Sequence, residues 1–97
     1  MLNPAPNVDT STEIQLLIVE DEPSRAIALQ ETLESLGYIV LDIVDSAIAA
    51  IETAAARRPN LVLMDIELRG EIDGIQAAEQ IWNQPPIPVI YSFSQSS

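Results

Sequence analysis

The sequence predicts an α/β domain, a parallel sheet with helices on both faces, and three observations lead there. Two unbroken apolar runs, Leu16-Leu17-Ile18-Val19 and Leu61-Val62-Leu63-Met64, each end in carboxylates, Glu20-Asp21-Glu22 and Asp65. Continuous rather than alternating apolar residues mark strands buried on both faces. Between and after these runs, strand-like and helix-like patterns alternate as β-α-β-α-β-α-β, which right-handed crossovers fold into a parallel sheet. Finally, 47% of the residues are hydrophobic but only 4% aromatic, so the core is packed by Leu, Ile, Val and Ala. Ninety-seven residues are enough for one such core and too few for two.

The elements follow in order. Residues 1–13, with Pro4, Pro6 and the Asp9-Thr10-Ser11-Thr12 cluster, read as a flexible leader, and residues 14–97 as the domain. Gln15–Glu20 is the first strand. Pro23 suits the first turn of a helix whose inner face is Ala26, Leu29, Leu33 and Leu36 and whose stop is Gly37. Tyr38–Val44, rich in β-branched residues, is a second strand with Asp42 at a rim or edge. Asp45 or Ser46 can cap the next helix, which places Ile48, Ile51 and Ala55 on one side. It puts Arg57 and Arg58 at its C-terminal end and closes at Pro59. Leu61–Asp65 is the third strand. A loop with Gly70, Asp73 and Gly74 leads to a short helix facing inward with Ile75, Ala78 and Ile81 or Trp82. Pro85-Pro86 ends it, and Ile87–Tyr91 is the fourth strand, with Pro88 near its beginning.

Composition excludes several function classes. There is no Cys and no His, which removes disulfides, thiolate chemistry, the usual zinc sites and every His-based relay. Fifteen acidic residues against four basic ones give a formal charge of −11, which repels phosphate backbones and anionic lipid, so no nucleic acid and no membrane are expected as partners. The N-terminus lacks a signal-peptide pattern, and the chain reads as cytoplasmic.

The two acid-tipped strands carry the functional signal. Ligand sites of open α/β sheets lie at the carboxyl ends of their strands. Adjacent strands ending in Asp21 and Asp65 would gather carboxylates in one crevice, where they repel unless a cation neutralises them. Oxygen ligands of this kind suit a hard divalent ion, Mg²⁺ above all.

Four segments together resemble the receiver domains of two-component response regulators. They are Leu17-Ile18-Val19-Glu20-Asp21-Glu22-Pro23, Leu63-Met64-Asp65-Ile66, Asp73-Gly74-Ile75 and Ile87-Pro88-Val89-Ile90-Tyr91, in family order over roughly residues 14–91. The resemblance implies a flavodoxin-like sheet of order 2-1-3-4. It implies that Asp65 accepts a phosphoryl group from a sensor histidine kinase or phosphotransfer protein, forming an aspartyl phosphate. It assigns Mg²⁺ to Glu20, Asp21, Asp65 and the backbone carbonyl of Glu67, and it makes the protein a signalling domain rather than an enzyme.

The chain also departs from the family pattern. Complete receivers continue with a further helix, strand and helix, so the domain reads as C-terminally truncated. A shortened receiver, a frame-shifted tail after Tyr91 and a fragment of a longer regulator all fit. The family's Ser or Thr after the fourth strand falls on Phe93, flanked by Ser92 and Ser94. The family's Lys is missing, since the chain has none; its basic residues are Arg25, Arg57, Arg58 and Arg69. Phosphotransfer impaired by truncation is therefore the first expectation. A pseudo-receiver serving as an interaction or dimerisation module is the second, and a small Mg²⁺-dependent phosphatase using Asp65-Ile66-Glu67 a distant third. An exposed fourth-strand edge would favour a homodimer.

Overall fold

The computed structural model of the chain describes residues 13–65, 74–82 and 86–92. Within them, β1 (Gln15–Val19), α1 (Pro23–Ser35), β2 (Ile39–Val44), α2 (Ala47–Arg57), β3 (Leu61–Asp65), α3 (Gly74–Trp82) and β4 (Val89–Ser92) follow one another in the expected alternation. The strands form one sheet of order β2-β1-β3-β4. Every neighbouring pair is parallel.

β1 and β3 occupy the centre, which is why residues 16–19 and 61–64 are unbroken apolar runs. Leu17, Val19, Val62 and Met64 point to one face, where Ala47, Ala50 and Ala54 of α2, Ala77 and Ile81 of α3, and Ile87 complete a single core cluster. Leu16 and Ile18 alternate to the opposite face, on which α1 packs against β1 and β2. On that face Ile18, Leu63 and Ile90 lie side by side across three strands. Their cover thins away from α1: Ile18 is 0% exposed, Leu63 half-buried and Ile90 52% exposed.

Local chemistry sets the boundaries. Glu22 caps α1 and Pro23 opens it, where a missing N–H costs nothing. At its other end Gly37 takes φ 99°, and the N–H groups of Gly37 and Tyr38 donate to the carbonyls of Glu34 and Leu33 at 3.0 and 3.1 Å. This Schellman closure needs a left-handed residue, and glycine supplies it without a Cβ penalty. Ser46, not Asp45, caps α2, its hydroxyl accepting from the Ala49 N–H at 3.1 Å. Between β1 and β2 the register slips by one after Leu16, so that Leu41 has no partner across the ladder. Its carbonyl instead accepts from the Arg57 guanidinium at 3.1 Å. Asp42 is exposed, as expected of β2 at the sheet edge.

The structure corrects the helix faces. α2 turns Ala47, Ala50 and Ala54 inward, while Ile48 is 48% exposed and Ala55 lies on the surface; only Ile51 of the expected face touches the core. The reason is the close approach of α2 to the sheet and to α3, which small residues permit and a row of Ile would block. Ile75 is 52% exposed, its expected inner place taken by Ala77 beside Ala78 and Ile81. Leu36 is 68% exposed because it belongs to the turn after α1 rather than to its inner stripe. β4 starts at Val89, later than Ile87, since Pro88 cannot donate to the ladder, although its carbonyl accepts from Val62 at 3.0 Å. The leader expected at residues 1–13 falls almost wholly outside the described residues. No helix among the described residues is long and apolar enough to cross a membrane.

The alanine face of α2 gives a direct stability test. Ala50→Leu forces a larger side chain into a fully buried position and should destabilise the fold by about 1–3 kcal/mol. Ile48→Ala should change stability by no more than about 0.5 kcal/mol, as surface substitutions do. Urea denaturation of both variants checks the difference.

Candidate metal and phosphoacceptor site

Parallel strands bring their carboxyl ends to one rim, and the β1–β3 register decides what meets there. Val19 pairs with Met64, so the next residue of each chain, Glu20 and Asp65, reach the rim at the same level. Both are buried, at 4% and 1% exposure, and they are the two buried charged residues among those described. The Glu20 backbone is fixed by its N–H donating to the Val44 carbonyl at 2.9 Å, which extends the β1–β2 pairing one residue past the strand. Asp21, half-buried, turns toward the same place. Carboxylate oxygens of Glu20, Asp21 and Asp65 all lie within 4.8 Å of one another.

A guanidinium stands among them. Nη2 of Arg25, in the first turn of α1, donates to Oε2 of Glu20 at 3.1 Å and lies 3.9 Å from Oδ2 of Asp65. The same Oε2 accepts from the Glu22 N–H at 3.0 Å. Arg25 is held protonated more firmly than usual, first by its bond to Glu20 and then by the charges of Glu20, Asp65 and Glu22. Glu22 turns away from this cluster to cap α1: its Oε1 accepts from the Ser24 N–H at 2.8 Å, from the Arg25 N–H at 3.3 Å and from the Ser24 hydroxyl. Those bonds, the Ser24 hydroxyl foremost, lower its pKa below the ordinary carboxylate value.

The donor set suits a hard divalent cation. Among the described residues it consists of carboxylate oxygens, from three acidic side chains beside the Arg25 guanidinium. Opposite ligands of a Mg²⁺ octahedron stand about 4.2 Å apart, so a small contraction would bring the three acids into one coordination sphere. A cleft of ≈ 390 Å³, lined by Glu20, Asp21, Pro23, Ile43, Val44 and Asp45 among others, opens beside the acids.

Of the expected site residues, Glu20, Asp21 and Asp65 are thus brought together. Glu67, whose carbonyl was the fourth expected ligand, lies outside the described residues, as do Asp73 and Phe93. Ser92 is the β4 residue paired with Asp65, and its hydroxyl donates to the Met64 carbonyl at 3.5 Å. Sequence reasoning passed over Arg25 as a site residue. Its signal was position: five residues after Glu20, in the first turn of a helix, where a cation has no favourable dipole to meet. Glu22 was passed over as a cap because Glu is not among the usual N-cap types, although Pro23 marks the residue before it.

Comparison with known proteins agrees with this geometry. The family described as "Response regulator receiver domain" matches residues 16–97. The phyllosphere-induced regulator PhyR of Methylorubrum extorquens is 36% identical over 84 residues, covering 86% of this chain and 31% of its own. The transcriptional regulatory protein PdtaR of Mycobacterium tuberculosis is 34% identical over 97 residues, covering 98% of this chain and 47% of its own. The chain thus spans 31% and 47% of the length of these two relatives. Among solved structures, the signal receiver domain of a modulated diguanylate cyclase from Desulfovibrio desulfuricans superposes with a TM-score of 0.80 at 37% identity, over 87% of this chain and 67% of that one.

The Glu22 cap makes a pH prediction. A carboxyl whose pKa is lowered on folding contributes stability that is complete above its unfolded pKa and lost as pH falls through the folded one. Glu22→Ala should therefore lower Tm at neutral pH, and the gap to the wild type should close as the solution is acidified through that range. Thermal melts followed by circular dichroism at stepped pH measure it.

Proposed function

Since the chain belongs to the response regulator receiver domain family, a family of two-component signalling, we propose that Asp65 accepts a phosphoryl group from a phosphohistidine of a sensor histidine kinase or phosphotransfer protein. The observation that carries this reading is the meeting of Asp65 with Glu20 and Asp21 at the rim of the sheet. In the transfer, a carboxylate oxygen of Asp65 forms the new P–O bond while the P–N bond to the donor imidazole breaks. The electron pair leaves with the imidazole nitrogen.

Each residue has a part. The end of β3 fixes the Asp65 carboxylate, and its burial keeps bulk water from competing as acceptor. Glu20, Asp21 and Asp65 would hold Mg²⁺, with the Glu67 carbonyl as the fourth protein ligand. The ion supplies charge neutralisation for the phosphoryl oxygens and for the acceptor. Within residues 1–97, which contain no Lys, the Arg25 guanidinium is the positive side chain beside the acceptor. The protein is a signalling component in the cytoplasm that turns over no substrate of its own.

A second reading, an interaction module, draws on the exposed end of the sheet. Among the described residues β4 has a neighbour on one side only, with Ile90 52% and Tyr91 39% exposed. An unpaired edge of this kind can pair with the same edge of a second copy across a two-fold axis. This reading accommodates phosphorylation or its absence.

Two measurements test these readings. Incubation with acetyl phosphate and Mg²⁺ should add one phosphoryl group, seen by intact-protein mass spectrometry and removed by hydroxylamine, and Asp65→Asn should abolish it. Labelling of that variant at the wild-type level contradicts the assignment. For the edge, equilibrium sedimentation should find a dimer that Ile90→Glu disperses; a monomer at high micromolar concentration contradicts it.

A further inference from the structure

We propose that Arg25 is a built-in counterion that competes with the divalent cation for the carboxylates of Glu20 and Asp65, so that the crevice exchanges one cation for the other. The inference rests on the reading of the crevice as a divalent-cation site and adds what limits its affinity. Arg25 reaches acids from both central strands at once, 3.1 Å from Glu20 and 3.9 Å from Asp65, the same groups that would hold the ion.

Two features set the guanidinium and the ion against each other. Oε2 of Glu20 already accepts from the Glu22 N–H and from Arg25, so that oxygen is taken up while the guanidinium is in place and an ion is left with the other carboxylate oxygen. A guanidinium and a divalent ion drawn to the same carboxylates within a few ångströms also repel each other.

The burial is asymmetric in the way an exchange requires. The Arg25 side chain is 47% exposed, whereas those of Glu20 and Asp65 are 3% and 2% exposed. The acids stay and the cation can swing into solvent on its flexible stem. Glu20 keeps its bond from the Glu22 N–H when Arg25 leaves, so the ligand geometry survives the exchange. The dipole of α1 gives Arg25 no hold at this spot, since the first turn of a helix disfavours a cation. The other described arginines, Arg57 and Arg58, sit at the C-terminal end of α2, and Arg57 is engaged at Leu41.

The test compares Mg²⁺ titrations, by isothermal calorimetry at low salt, of the wild type, Arg25→Gln and Arg58→Asn. The last removes the same charge elsewhere and places Asn at a left-handed position that Asn tolerates. Arg25→Gln should bind Mg²⁺ about fivefold more tightly, the upper range for a partly exposed ion pair, and Arg58→Asn should match the wild type. In the wild type, the Arg25 side-chain Nε–H signal in nitrogen-15 NMR should shift on Mg²⁺ addition and exchange faster with water. Unchanged or weaker binding by Arg25→Gln, equal tightening by Arg58→Asn, or an Arg25 signal unmoved at Mg²⁺ saturation would each overturn the proposal. If no form of the protein binds Mg²⁺, the divalent-site reading fails first and takes the proposal with it.

Discussion

Two buried carboxyl groups at the ends of adjacent central strands are the constraint around which this fold is arranged. Burying Glu20 and Asp65 is costly without compensation, because a carboxylate removed from water keeps its charge only with hydrogen bonds or a cation nearby. The compensation visible here is local. The Glu22 N–H and the Arg25 guanidinium both serve one oxygen of Glu20, and the same guanidinium reaches toward Asp65. α1 therefore has a second task beyond covering Leu16 and Ile18: its first turn delivers the cation.

That arrangement connects sequence to function through register. The β1–β3 pairing places Glu20 level with Asp65, and a slip of one residue would turn one acid to the opposite face. The apolar packing of Leu17, Val19, Val62 and Met64 against the alanines of α2 holds that register, so the core on one face determines the geometry of the site at the rim. The extra residue at Leu41 is absorbed in β2, where the Arg57 guanidinium takes up the orphaned carbonyl, and the disturbance does not reach the β1–β3 pair.

The sheet and the acid cluster were legible in the sequence because both depend on strong, local signals: uninterrupted apolar runs and the carboxylates that end them. Sheet order needed the family resemblance, since nothing in a single strand says which neighbour it takes. The helix faces were less legible. Counting large apolar residues favoured Ile48 and Ile75, but the sheet-facing positions belong to Ala50 and Ala77, where close packing selects small side chains over hydrophobic ones. Arg25 was invisible as a site residue for a related reason. Its role arises from the angle at which α1 leaves the sheet, a tertiary property, and a lone arginine among exposed helix residues carries no periodic signal.

The central claim is that Glu20, Asp21 and Asp65 form a cation-dependent acceptor site, and fluorine NMR of beryllofluoride, a mimic of the acyl-phosphate group, tests it most directly. With the wild-type chain, bound fluoride resonances should appear when beryllium, fluoride and Mg²⁺ are all present, and should disappear when Mg²⁺ is chelated. No bound resonance at saturating Mg²⁺, or one that persists after chelation, would contradict the account.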